Sequence, residues 1–528
     1  MTDATVPVLT LTPTDVADLA DALRPYHAIY GDLFPRSESR GWAERYLHGL
    51  LSPLDRKSVE PMVIAQLGAS ERAVRGMQQF LTDSTWDDAA ILHRHWQEVA
   101  RDLDDADGIL IVDGSDVPKK GQHSVGVKRQ YCGQLGKIAN CQAGVFLAYA
   151  SAHGTTLLDR RLYLPQEWVA DPAFAERRAK TQVPADVRFQ TKNDLALTMI
   201  QDVVASQALT CRWLLADEAF GRDTALLDAI AALALWYMVE IPLDTRIVRP
   251  DAATTPQTLF DTLPAAAWHR HLVGDGTKGR RIAETWVQRV QAQRAGQAGP
   301  DVWLILRIDP ESGEQKAFLS NAPATLAVSL LVRMTGMRWP IEQCFEVAKQ
   351  QLGMGDYEVR SWPGWHHHMT LVILAHFFLV RLQRRLKKSP VGEPVAGRAA
   401  AQRAATAATA HGGPRARSDR LLPPTARVRA TQSPPPHRTL DRQYGHRCRA
   451  RHPARCTTYS CMTDRLLAAL VVVLGAAGVA PTTTLLEVTR LALPGLMIEL
   501  EGTAVAGRDR TACQGKQIPW HAAQTRRG

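Results

Sequence analysis

Three carboxylates stand where an acid can do work. Asp113 closes the apolar run Ile109-Leu110-Ile111-Val112, Asp217 closes Trp213-Leu214-Leu215-Ala216, and Glu342 opens an amphipathic stretch that begins at Pro340. Mg²⁺ takes oxygen ligands and keeps part of its water shell, so a pair of ions calls for several carboxylates converging from separate elements. Phosphoryl transfer is the chemistry such a set would serve. A single apolar run ending in Asp carries little weight, because that Asp often only caps the next helix. The third acid gives the set its meaning.

The elements that must position these acids are legible nearby. Around Asp113 the chain reads ILIVD into GSDVPKKG, a strand running into a Gly, Ser and Pro turn, and around Asp217 it reads RWLLAD into EAFG. In the third segment Pro340 suits a first helical turn, and Ile341, Cys344, Phe345, Ala348 and Leu352 recur on one face, which predicts a helix with a buried side. On another side Glu342, Glu346 and Lys349 follow at helical spacing, an acid and a base roughly 10 Å apart along the axis. Taken alone, that side reads as a solvated face with an ion pair.

Arg338, Glu342 and Lys349, separated by three and six residues, resemble part of the signature of DDE transposases of bacterial insertion sequences, with Thr335 where a tyrosine is usual. Longer segments, VDGSDVPKKGQHSVGVKRQYCGQLGKIANCQAGVFLAYAS, LLDRRLYLPQEW, LADEAFG and RWPIEQCFEVAKQQLGMGDYEVRSWPGWHHHMTL, resemble the insertion sequence 701 transposases, over roughly residues 40 to 385. The resemblance implies an RNase-H-like catalytic core and metal-dependent cleavage and strand transfer at insertion-sequence ends. In it Asp113, Asp217 and Glu342 would hold two Mg²⁺ ions, with Mn²⁺ able to substitute, while Arg338 and Lys349 position phosphates. Its partners would be double-stranded DNA with terminal inverted repeats and target DNA, bound by a homodimer. Asp116 and Glu346 compete for the acid roles and rank lower, Asp116 for lying beyond the strand and Glu346 for breaking the spacing from Arg338.

The rest of the chain fits an α/β class. Residues 109–113, 124–131 and 142–150 read as an antiparallel meander, Thr191 and Asp194 as a capping box for a helix over 192–206, and 235–241 as a further strand. That order suits a mixed sheet flanked by helices. The predicted organisation is an N-terminal helical domain over 1–105, with helices at 42–51, 59–67 and 72–81, that grips DNA ends or serves as scaffold. The first part of the core follows over 106–244, then a β-rich insertion over 245–330 and the last core helices over 331–388. The strand-like runs 302–308 and 316–320 and Trp268, Trp286 and Trp303 mark the insertion, the tryptophans expected in its core.

Composition is compatible with a polyanionic partner: 63 Lys and Arg against 53 Asp and Glu leave a net charge of +10. Lys119, Lys120, Lys128 and Arg129, with Lys137, Arg160 and Arg161, follow Asp113 and are candidate DNA contacts. Eight cysteines in a long chain argue for no disulfide framework, and Cys448, His452, Cys456 and Cys461 match no zinc spacing. Three consecutive histidines, His366, His367 and His368, cannot chelate one metal from a helix and are read as DNA-backbone contacts. The N-terminus lacks a signal core, which predicts a cytoplasmic protein. Residues 389–528 form an atypical tail whose first part is dominated by Ala, Arg, Pro and Gly, read as disordered or as frameshifted coding. The apolar run 466–480 is too short to span a membrane. Two rival readings are an RNase-H-like nuclease that does not join strands and a non-catalytic DNA-binding remnant.

Overall fold

Helix-forming patterns fill the start of the chain. In the computed structural model, which describes residues 21–249, 252–276 and 279–388, they become α1 (Leu23–Ala28), α2 (Ser37–Leu50), α3 (Val59–Leu67), α4 (Glu71–Thr82) and α5 (Asp88–Leu103). Met77, Phe80 and Leu81 form the buried stripe of α4, at the spacing of one helix face. Ser70 and Asp87 accept hydrogen bonds from the first backbone N–H groups of α4 and α5, a cap that contributes about 1 kcal/mol each.

The chain then enters a mixed sheet. β1 (Ile109–Pro118) leads to a hairpin of β2 (Lys128–Cys132) and the long β3 (Lys137–Ser151), and β4 (Gly154–Tyr163) returns along β3. Two short helices, α6 (Gln166–Ala170) and α7 (Ala175–Lys180), precede α8 (Lys192–Ser206). The expected capping box is present: Asp194 N donates to Thr191 Oγ1 at 3.1 Å and Thr191 N to Asp194 Oδ2 at 2.9 Å. β5 (Trp213–Ala216), α9 (Glu218–Gly221), α10 (Thr224–Ala232) and β6 (Trp236–Ile241) follow. β1 pairs antiparallel with β3 and parallel with β5, and β5 pairs parallel with β6.

Three readings of the sequence need correction. Asp113 does not end its strand: β1 runs on through Asp116 to Pro118, because β3 supplies a partner at every position from Ile109 to Pro118. The strand expected over 124–131 begins at Lys128. β4 was not expected at all, because its charged stretch Asp159-Arg160-Arg161 hides the alternation that marks a strand.

The segment read as β-rich supplies β7 (Ile247–Val248), β8 (Ala253–Thr254), α11 (Pro256–Thr262), β9 (His269–Gly276), β10 (Gly279–Arg294), β11 (Gln297–Ile308) and β12 (Gln315–Ser320). These strands continue the same sheet, since β12 lies antiparallel on β6 with Ala317 opposite Ile241 and Ser320 opposite Met238. Trp268, Trp286 and Trp303 are half-buried: Trp268 stacks on Phe260, and Trp303 donates to the Pro323 carbonyl at 3.2 Å.

α12 (Val328–Met334), α13 (Trp339–Gln350) and α14 (Trp362–Lys388) close the described chain. α14 is buried along residues 365–380 among α2, α4, α5 and β4. Among the described residues no helix is long and apolar enough to cross a membrane. The tail, its cysteines and the apolar run 466–480 lie outside the described residues.

Candidate active site

Sheet register brings the first two acids together. β1 and β5 pair Ile109 with Trp213, Leu110 with Leu214 and Ile111 with Leu215, and the same register carried two residues further sets Asp113 beside Asp217. Neighbouring strands lie about 4.8 Å apart, so the two carboxylates share one edge of the sheet. β5 and β6 pair Ala216 with Val239, so the next step sets Glu240 beside Asp217. Sequence reasoning missed Glu240, although a lone Glu in the apolar strand Trp236–Ile241 was its signal. Lys316 of β12 sits 3.3 Å from it and offsets its charge.

Asp217 also does the capping work that a strand-end Asp can do. Its Oδ1 accepts from Ala219 N at 3.0 Å and Phe220 N at 3.4 Å, opening the four-residue helix α9. Among the described residues its Oδ2 has no hydrogen-bond partner. Gly221 lets α9 lie directly on β6, since a Cβ there would collide with the Glu240 carbonyl.

The third acid arrives on α13. Ile341, Cys344, Phe345 and Ala348 are buried as the sequence predicts, and Phe345 meets Phe146 of β3 edge to face at 5.4 Å, which fixes the helix against the sheet. At its start Arg338 bridges two of the acids: Nη1 donates to Asp113 Oδ2 at 2.6 Å and Nη2 to Glu342 Oε1 at 2.5 Å. Gly336 permits the tight approach just before it, because a Cβ would come within 2.7 Å of the Val273 carbonyl oxygen. Asp113, Asp217, Glu342 and Arg338 are thus one electrostatic cluster.

The charges confirm the proximity. Burial pushes the Asp113 carboxyl up to about 6; Arg338 opposes the rise, while Asp217 and Glu342 add to it as like charges. Burial disfavours the Arg338 cation, but Asp113, Glu342, Asp217 and Glu240 outweigh burial and hold its pKa above the ordinary value. Lys349 lies half-buried on the last turn of α13, and burial lowers its pKa against the pull of Asp116 and Asp113. It therefore faces the same end of β1.

The remaining candidates separate. Asp116 lies within β1 and accepts Gly133 N at 2.8 Å, so it holds the turn between β2 and β3, and its lower rank for lying beyond the strand does not hold. Glu346 is exposed. Lys119 turns inward, donating to the Tyr357 carbonyl at 3.2 Å with its ammonium 3.4 Å from the Tyr357 ring centroid, and burial lowers its pKa to about 8. Lys128 is paired with Glu167, whereas Lys120 and Arg129 are exposed with no side-chain partner among the described residues. Arg160 is only 2% exposed, in an ion network with Asp88 and Asp159, which removes it from the DNA-facing set. The three histidines are buried rather than turned outward: His367 hydrogen-bonds the Leu81 and Trp86 carbonyls, His368 bonds Tyr46 and Met354, and His366 bonds Trp362. Their reading as DNA contacts is overturned.

Beside the cluster lies a cavity of about 170 Å³ between α13 and β12, lined by Glu240, Arg281, Arg307, Lys316, Arg338 and Glu342 among others. Arg307 was not foreseen. It donates to Thr335 O at 3.0 Å and Oγ1 at 3.2 Å, the position where the resembled signature has tyrosine, and lies over the Phe318 ring. No motif marks it, because the contact joins β11 to a turn 28 residues later.

Hard oxygen donors converging from two strands and a helix suit a divalent cation. As the side chains stand, no three Asp, Glu, His or Cys among the described residues gather closely enough to hold one ion. Arg338 sits between two of the acids and supplies the countercharge.

An acid row across neighbouring parallel strands, faced by a helix bearing another acid and an arginine, defines a candidate phosphodiester-cutting site on a mixed α/β sheet. The chain belongs to the DDE superfamily endonucleases, whose family model matches residues 30–300, just over half of its length. It is also 28% identical over 355 residues to a protein of Microchaete diplosiphon described as a probable transposase for insertion sequence element IS701, an overlap covering 66% of this chain and 85% of that relative. The family resemblance read from the sequence is borne out.

Proposed function

We propose that this protein is a transposase that cleaves DNA at the ends of an insertion sequence and joins the freed strands to target DNA. The observation that carries the reading is the bridging of Asp113 and Glu342 by Arg338 beside Asp217. In this reading the sheet from β1 to β6 with α13 is an RNase-H-like core, β7 to β12 are its insertion, and Asp113, Asp217 and Glu342 hold divalent cations, Mg²⁺ or Mn²⁺. Such ions supply an activated water or 3′-hydroxyl and stabilise the leaving oxygen.

The chain's own groups do the rest. Asp217 is fixed by its cap to α9 and offers Oδ2 outward. Arg338 keeps the acids from repelling one another and would contact a DNA phosphate at the site. Lys349, one end of the helix away, holds another phosphate, and Lys120 and Arg129 reach the backbone beyond. Its substrates are double-stranded DNA with terminal inverted repeats and target DNA, handled by a homodimer.

The test is nicking and joining of duplexes that carry the DNA flanking its own coding sequence. Asp113→Ala, Asp217→Ala and Glu342→Ala each abolish both steps while DNA binding persists. Inactivity of Asp116→Ala or Glu346→Ala with full activity of the Glu342 variant overturns the assignment, and cutting without joining reduces the protein to a nuclease.

A further inference from the structure

The hairpin of β2 and β3 carries side chains that packing does not explain. Tyr131 and Ile138 are the most exposed large apolar residues among those described, at 64% and 61%, and Leu135 in the turn is 44% exposed. Tyr131 and Ile138 stand opposite each other across the hairpin, so the three make one apolar tip rather than scattered singles.

The surroundings say what this tip meets. From Val117 to Leu158 the chain has no Asp or Glu, yet it carries Lys119, Lys120, Lys128, Arg129 and Lys137. Arg129, two residues before Tyr131, shares its face of the strand. Arg129 and Lys137 are exposed and make no side-chain hydrogen bond or ion pair among the described residues. An acid-free cationic rim around an apolar tip fits a nucleic acid, whose phosphates surround apolar base faces, and the tip's place beside the acid cluster of a DNA-processing site favours that partner over an anionic lipid surface.

The tip is also held in place. Gly136 adopts a left-handed φ of 61°, which closes the turn tightly, and Asp116 Oδ2 binds Gly133 N at 2.8 Å, three residues beyond Asp113 on the same strand. The turn is therefore anchored to the strand that carries the first acid. We infer that this hairpin is a wedge whose Tyr131, Leu135 and Ile138 pack against unpaired bases of a DNA end beside the acid cluster, while Arg129 and Lys137 hold the adjoining phosphates.

This inference rests on the DNA-processing reading above. The test uses the full chain and two probes, a blunt duplex and the same duplex with a short unpaired thymidine fork carrying a fluorescent base analogue. The wild type binds the fork more tightly and alters the analogue's fluorescence on stacking. Tyr131→Ala with Ile138→Ala removes the preference, a loss of roughly fivefold to a hundredfold for one stacked base. Tyr131→Phe keeps it, and Arg129→Ala weakens both probes alike. Thermal melting stays at the wild-type value because both altered residues are exposed.

A double variant that still prefers the fork overturns the wedge, as does a wild type that binds both probes equally; the second result leaves the transposase reading standing. A wild type that binds neither probe at low salt overturns both. A double variant that changes the protein's size in solution assigns the tip to contact between copies and overturns the wedge as well.

Discussion

Two of the clusters of acids and arginines among the described residues differ in how their charges are matched. Around β4, Arg160 and Arg161 meet Asp88, Asp159 and Asp202, and every acid has a guanidinium within ion-pair distance; Asp159 and Arg160 are almost wholly enclosed. At the end of β1, Asp113, Asp217 and Glu342 share the single Arg338, Asp217 has no ion pair among the described residues, and the Glu342 side chain is 47% exposed. Matched and sealed charges tie α5 to β4 and serve the fold. An open acid surplus costs stability, a cost that the proposed cations would relieve.

The contrast predicts opposite behaviour on substitution. The largest effect is on activity at the open cluster: Asp217→Asn or Glu342→Gln lowers nicking by about a thousandfold or more, as expected when one charge-stabilising group is removed from such a site, while the melting temperature holds. A single-turnover nicking assay with calorimetry on the same samples checks both halves. Next comes the sealed cluster, where Arg160→Met takes the partner from Asp88 and leaves buried Asp159 with Arg161 alone, at a cost of about 3 kcal/mol in denaturant unfolding. Equal melting of this variant and the wild type would erase the distinction.

A smaller effect sharpens it. Asp113 binds its proton more tightly when folded, at about 6 against an ordinary 3.8. The stability this gives is fully present below about pH 4 and is lost as pH rises through 6, so the ionised carboxylate is a burden at pH 8. Asp113→Asn should then stabilise the metal-free protein by about 3 kcal/mol at pH 8 and by far less at pH 4. Unfolding curves in chelator at both pH values decide this, and a destabilised variant at pH 8 contradicts the acid surplus. Smallest is Glu342→Gln in the same measurement, within about 0.5 kcal/mol, because a solvent-screened pair at i,i+4 contributes little.

The sequence made local features plain and distant ones obscure. The capping box at Thr191 and the buried face of α13 depend on neighbours within a few residues, and both were readable. Gly114-Ser115-Asp116 looks like a turn, yet it is strand, because the partner that holds it extended is a segment about thirty residues on. Arg160 and the three histidines looked like contacts for DNA phosphate until α5, β4 and α14 enclosed them. The proximity of Asp113 and Asp217 is of another kind: their identities were legible, whereas the shared register is set by pairing across a hundred residues. Arg307 had no local sign.

That shared register has a consequence for what changes the gene can tolerate. Side chains on a strand alternate between two faces, so inserting or deleting one codon within 109–113 or 213–217 would turn an acid to the opposite face of the sheet. Gaps between related sequences should therefore be absent from those two short stretches and gather in the connecting segments. On the proposed assignment, a length change there would separate the two acids and stop cutting.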